Sequence, residues 1–217
     1  MNTRRIFFWV AFIIILALII WGLIVAMNRP VPSGPNLGTP APVTALDHVT
    51  GPADAPVTMI EYSDFQCPAC ELYHPLIEKV LASSTIPIRF IYRHFPLSQH
   101  ANAMPAALAS EAAGVQGKFW DMYHLLFNNH EEWTELPDAK PIFIKYASDI
   151  GLDVEQFKTD LSSSTLKDRI VADSDGGIKI GIDSTPTFFL NDRAITNPKS
   201  YDEFISDIQK AASRGSN

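Results

Sequence analysis

The residues best suited to chemistry are Cys67-Pro68-Ala69-Cys70, preceded by Glu61-Tyr62-Ser63-Asp64-Phe65-Gln66. Two cysteines separated by two residues can form a disulfide, exchange it with another thiol pair, or contribute half of a zinc site. Zinc asks for about four ligands. The chain has 2 cysteines and 6 histidines scattered along it, and no second cysteine pair to complete a zinc site, so redox exchange is favoured. An apolar run from Val57 to Ile60 precedes the pair and a helical pattern follows it, so Cys67 falls at a helix N-terminus. Unpaired backbone N–H groups and the macrodipole favour a thiolate there, which makes Cys67 the expected nucleophile. Cys70, one turn further and turned inward, is the expected resolving thiol. Glu61 lies in a strand that otherwise reads as core. A carboxyl placed there loses solvation, its pKa rises, and it can accept and return the proton of Cys70.

The elements around these residues form a consistent order. Val57 to Ser63 reads as a buried strand and Pro68 to Leu81 as a helix with Tyr73, Leu76, Ile77, Val80 and Leu81 on one face, kinked at Pro75. Ile86 to Arg93 is a second strand, which completes a βαβ unit. From about 99 to 180 the pattern is helical. Met104, Ala107, Leu108 and Ala112 make one stripe, and Phe119, Trp120, Tyr123 and Phe127 make another that reads as core. Asp153 with Gln156, and Ser200 with Glu203, have the spacing of capping boxes. Gly176-Gly177 should weaken the helix that begins near Thr165, and Thr187–Leu190 with Arg193–Thr196 reads as a hairpin around Asn191-Asp192.

The N-terminal part has a different composition. Residues 6–27 carry no charge and follow Arg4 and Arg5. As a helix they would span ~33 Å, enough for a bilayer core of about 30 Å. The arginines before the run place residues 1–5 in the cytoplasm and the rest outside it, with 6–27 an uncleaved anchor. Residues 28–45 contain five prolines and two glycines and no hydrophobic period, as a semi-extended tether would. Residues 46–217 should then fold as one domain. The whole chain has 217 residues, 47% of them hydrophobic, and a net charge of -7, which leaves no basic face for nucleic acid.

A βαβ unit with Cys-x-x-Cys at its first turn, a helical block, and Thr185-Pro186 before a hairpin and final helix resembles the α/β thioredoxin fold with the helical insertion of DsbA-like oxidoreductases. The resemblance covers about 51–212 and rests on Asp64 to Cys70, Arg93-His94-Phe95-Pro96, Gln116 to Trp120 and Thr185 to Phe189. The membrane-anchored, extracytoplasmic bacterial members look most similar. The resemblance implies that the Thr185–Pro186 bond is cis and that Thr185, with Pro68 and Ala69, meets the substrate chain. It also implies an acid at the position of Glu61. No cofactor or metal is implied. Ala69 stands where DsbA has His, so a less oxidising pair is expected than in a Cys-Pro-His-Cys site.

Introduction of disulfides into exported polypeptides is thus the expected activity, with a membrane redox partner. A reductase or isomerase fed by a membrane electron donor, or a thioredoxin-like module that only binds, are the alternatives. His74, His94 and His100 read as structural or surface histidines.

Overall fold

The structure, a computed structural model, describes Trp9, residues 12–22 and residues 34–214. The chain divides into two units between Ser33 and Gly34. In the first, residues 12–22 are helical, and the expected span of 6–27 extends past the described residues on both sides. Among the described residues no helix is long and apolar enough to cross a membrane.

The second unit is built on a five-stranded sheet. Its strands are β1 (His48–Thr50), β2 (Val57–Ser63), β3 (Ile88–His94), β4 (Thr187–Leu190) and β5 (Arg193–Ala194), in spatial order β1-β3-β2-β4-β5. β2 and β3 are parallel, joined through helix α1 (Pro68–Ser83), and the other neighbouring pairs are antiparallel. β-Branched and aromatic residues fill β2 and β3 because both faces of these central strands are covered. On one face Val57, Met59, Phe90 and Phe188 pack under α1 and the last helix, α8 (Tyr201–Arg214). On the other, Ile60, Tyr62, Ile91 and Phe189 meet Phe95 and Ile182.

Between β3 and β4 the expected helical block consists of α2 (Ala103–Val115), α3 (Phe119–Asn128), α4 (His130–Trp133), α5 (Lys140–Asp149), α6 (Val154–Asp160) and α7 (Ser164–Lys179). Of the α3 stripe, Phe119, Tyr123 and Phe127 are buried in the core as expected, while Trp120 is half-buried and packs against it. On α2 the expected stripe is displaced. Ala106, Ala109, Ala112 and Ala113 are the most buried, while Met104 and Leu108 are only half-buried, because small side chains let neighbouring helices approach most closely along the alanine face.

Several local expectations differ in detail. β1 had no strand signal of its own, being three half-buried residues that pair along the edge of β3. The hairpin ladder stops at Ala194, not Thr196, where Asn197 turns to donate its side-chain amide to the Pro186 carbonyl. Its turn needs positive φ at both Asn191 (46°) and Asp192 (65°), and the Asn191 side chain secures it by accepting from the Thr58 N–H at 2.8 Å. Asp153 caps α6 by accepting from the N–H groups of Glu155 and Gln156, but the reciprocal bond to its own N–H comes from Gln116 Oε1 and not from Gln156. Of the expected tether, 28–45, residues 28–33 lie outside the described residues. Residues 34–45 have no regular structure, yet Gly38 donates to the Ile180 carbonyl and the Ala41 carbonyl accepts from Arg93, so this stretch lies on the domain.

α7 runs unbroken through Gly176-Gly177, and the second glycine is there for space. A Cβ on Gly177 would lie 2.8 Å from the buried Phe95 ring and 3.2 Å from that of Tyr62. Alanine gains about 1 kcal/mol in helix propensity, but forcing a methyl into a filled core costs about 1–3 kcal/mol. Gly177→Ala should therefore lower the urea midpoint. An unchanged midpoint would mean that the Phe95 ring gives way freely.

Candidate active site

β2 delivers the chain to the site. Asp64, buried just past its end, accepts hydrogen bonds from the Gln66 and Leu97 N–H groups and from His100. Its own carbonyl accepts from the Cys67 N–H. Gln66 ties the same turn to the helical insertion, donating to the Thr134 carbonyl at 2.7 Å and accepting from the Asn102 N–H at 2.6 Å. Burial raises the pKa of Asp64, while these donors oppose the shift. Sequence reasoning placed Asp64 and Gln66 in the motif but gave them no role. Their function as the staple of the Cys67 turn depends on partners more than thirty residues away.

Cys67 is the N-cap of α1, in extended conformation, and Pro68 occupies the first turn, where its missing N–H costs no helical bond. Both cysteines are free and buried, Cys67 at 7% exposure and Cys70 at 1%. This difference sets their chemistry. Hydrogen bonding from the Cys70 thiol, helped by Thr185 and by the N–H groups of Cys70 and Ala69, outweighs burial and brings the Cys67 pKa down to about 5. Burial pushes the Cys70 thiol well above its ordinary range, and its neighbours Cys67 and Glu61 push the same way. The two shifts are those of a thiolate at the helix end and a thiol one turn inside it.

Glu61 is completely buried on the face of β2 that looks toward α1, between Tyr92 of β3 and Phe188 of β4. Neither carboxyl oxygen has a hydrogen-bond partner among the described residues, and Ser63 Oγ nearby has none either. Burial raises the Glu61 pKa to about 8, against a smaller opposing pull from the neighbouring Ser63 hydroxyl and with the Cys67 charge adding to the rise. The carboxyl is therefore protonated at neutral pH, and only where it ionises does its charge oppose ionisation of Cys70, Tyr92 and Tyr123. Both tyrosines are buried phenols held protonated, chiefly by burial.

The loop before β4 closes the other side. The Thr185–Pro186 bond is cis, and the Thr185 carbonyl oxygen lies 3.6 Å from Cys67 Sγ. Ala69 is half-buried beside the cysteines, and Pro68 is exposed. Cys67, Cys70, Glu61, Thr185 and Pro186 thus come from β2, α1 and the loop before β4, elements adjacent in space. His94 and His100 are not at the thiols. His94 shares Glu111 with His48, at 2.9 and 2.7 Å to the same oxygen, and His100 binds Asp64.

Residues 44–210 match the family model Thioredoxin_4, described as thioredoxin. BdbD from Bacillus subtilis superposes with a TM-score of 0.72 at 27% identity, covering 83% of this chain and 99% of that one. α-DsbA1 from Wolbachia pipientis gives 0.70 at 26% identity, covering 80% and 94%. A curated relative from Mycolicibacterium gilvum, named Na(+)/H(+) antiporter NhaA 1, is 37% identical over 177 residues, which is 79% of this chain but 27% of that protein. One from Salinispora arenicola with the same name is 42% identical over 148 residues, 22% of its length. The chain thus spans about a quarter of the curated relatives it matches. A family match over most of the chain, on a sheet that brings Cys67 and Cys70 to the end of β2, places the protein in the thioredoxin family as a DsbA-like thiol:disulfide oxidoreductase.

Proposed function

We propose that this chain is anchored in the cell membrane by residues 6–27 and introduces disulfides into exported polypeptides through Cys67 and Cys70. The observation that carries the proposal is the opposed pull on the two thiols, down to about 5 for Cys67 and well up for Cys70. A stabilised thiolate favours the reduced form, so the disulfide is readily passed on. The charge-free run behind Arg4 and Arg5 supports export of the domain. The antiporter names of the curated relatives are those of membrane proteins, which agrees with a membrane location.

In the oxidative direction a substrate thiolate attacks Cys67 Sγ of the disulfide. The S–S bond breaks and Cys70 leaves with the electron pair. Glu61, protonated below about pH 8, gives its proton to that sulfur. A second substrate thiolate then attacks the substrate sulfur of the mixed disulfide, and Cys67 leaves as a stable thiolate. The substrate dithiol has become a disulfide and the enzyme disulfide a thiolate–thiol pair; of the two protons the substrate thiols released, one restores Glu61 and the other goes to solvent. Thr185, whose carbonyl faces Cys67, orients the incoming chain together with Pro68, Ala69 and Pro186. The oxidised state is restored by a membrane redox partner.

Equilibration of the protein with glutathione buffers tests the direction. Ala69 supplies no hydrogen bond to the thiolate, so the potential should fall between that of thioredoxin, about −270 mV, and that of DsbA, about −120 mV, with ~30 mV per tenfold in the exchange constant. A value at the thioredoxin end, with poor oxidation of reduced unfolded substrates, would assign the chain to reduction or isomerisation instead. Glu61→Gln tests the proton step. The amide cannot supply a proton, so attack at Cys67 should slow by about the pKa mismatch of the Cys70 leaving group, and the rate should lose its dependence on a group titrating near pH 8. An unchanged pH profile would remove Glu61 from the mechanism.

A further inference from the structure

His74 is buried on α1, and one turn further along the same helix stands Glu78. His124 of α3 faces both. Its ring lies 5.6 Å from that of His74, and its Nδ1 is 4.0 Å from Glu78 Oε2. One ligand atom from each of the three side chains lies within 4.8 Å of the other two. We propose that His74, Glu78 and His124 bind a divalent transition-metal ion, Zn2+ by the character of the donors, clamping α1 onto α3 beside the redox helix.

Two imidazole nitrogens and one carboxylate oxygen form a donor set of borderline softness, and three protein ligands leave a fourth tetrahedral position for water. Metal–ligand bonds of about 2.0–2.2 Å put tetrahedral donors about 3.3–3.5 Å apart, so the ligands must close by roughly an ångström. Glu78 and His124 can supply that movement, because their side chains are about two-fifths exposed, at 42% and 41%. His74 is the fixed member, stacked on Phe127 at 5.0 Å and edge-on to Tyr123 at 5.2 Å. A metal needs the neutral imidazole. His74 Nδ1 lies 3.4 Å from the Tyr123 hydroxyl, the kind of outer partner a ligating imidazole keeps when a metal takes its other ring nitrogen. Lys79, the next residue after Glu78, lies over the Tyr201 ring at 4.4 Å and does not fill the site.

The other histidine–carboxylate group, His48, His94 and Glu111, does not meet the same conditions. Both imidazoles already share Glu111 Oε1, and the Arg169 guanidinium sits 3.0 Å from Oε2, where it would repel a cation. The proposed site uses neither cysteine and does not depend on the direction of thiol exchange.

The test uses the tag-free full chain in detergent, with Cys67 and Cys70 oxidised so that neither can ligate. ZnCl2 uptake is followed by competition with a chromophoric chelator, and CoCl2 serves as a spectroscopic probe. One equivalent of Zn2+ should bind, and Co2+ should give the intense visible bands of a four-coordinate site. His124→Ala and Glu78→Gln alter half-exposed side chains and should leave the fold intact. Each should weaken binding by at least the ~10–100-fold lost when only a supporting hydrogen-bond partner is removed. His48→Gln should bind as the unaltered protein does. No uptake by the unaltered chain, uptake undiminished in either His124→Ala or Glu78→Gln, or loss in His48→Gln would overturn the site.

Discussion

Replacing Cys67 with alanine is expected to reduce thiol–disulfide exchange to the uncatalysed rate, and Cys70→Ala is expected to retain attack but accumulate mixed disulfides. The asymmetry comes from position on α1. Cys67 caps the helix with backbone N–H groups directed at its sulfur, whereas Cys70 is buried a turn further in, next to the uncharged Glu61 carboxyl. Alkylation makes the same asymmetry measurable. At pH 6 a thiol of pKa about 5 is mostly thiolate, roughly a thousandfold more so than an ordinary cysteine near 9. Nucleophilicity falls with pKa at a Brønsted slope of about 0.4–0.5, which takes back between one and two powers of ten, so the net advantage is on the order of tenfold. Cys67 should therefore label about tenfold faster than an unperturbed thiol at pH 6, with the rate breaking near pH 5. Cys70 should stay unlabelled until Cys67 is blocked. Equal rates for the two thiols, or a single break near pH 9, would contradict the assignment.

The second large effect is on stability. The reduced protein should be more stable than the oxidised one, by a margin that widens as pH rises from about 5 to 9. In the reduced fold Cys67 is depressed to about 5 from its ordinary 9.0. Between those values the unfolded chain carries a proton that the native one lacks, so native stability rises by about 1.4 kcal/mol per pH unit. That contribution is complete above pH 9 and lost as pH falls through 5. The oxidised protein lacks it, since neither sulfur titrates. Glu61 acts in the opposite sense. Its pKa is raised from 4.5 to about 8, so the native state keeps a proton the unfolded chain has given up. Its contribution is complete below pH 4.5 and is lost as pH rises through 8. In the reduced protein the two slopes nearly cancel between pH 5 and 8. In the oxidised protein only the falling slope remains. Cys70, displaced above its ordinary value, titrates outside this window. Urea unfolding of both redox states at pH 5.5 and 7.5 should show the gap growing by up to roughly 2.7 kcal/mol. Parallel pH dependences in the two states would mean that the Cys67 thiolate is not selectively stabilised by the fold.

What the sequence by itself determined was set by contacts local in the chain. Cys67 and Cys70 fall at a strand-to-helix junction because hydrophobic period changes there, and Glu61 belongs inside β2 because residues on both sides of it are apolar. The resemblance extended this to the cis bond at Pro186, which local propensity would have made trans. Tertiary structure decided how far those side chains are removed from water and which charges they meet. Glu61 can be placed on a strand from its neighbours, but its complete burial follows only once α1, β3 and β4 close around it. Asp64 gains its role from Leu97 and His100, and His74 and Glu78 meet His124 only when α3 packs beside α1. No sequence spacing joins His74 and Glu78 to His124, because short spacings record ligands within one turn or loop, while these are shared between two helices distant along the chain. Period and capping are encoded within a few residues. Desolvation, and the meeting of groups from different elements, exist only after the chain has folded.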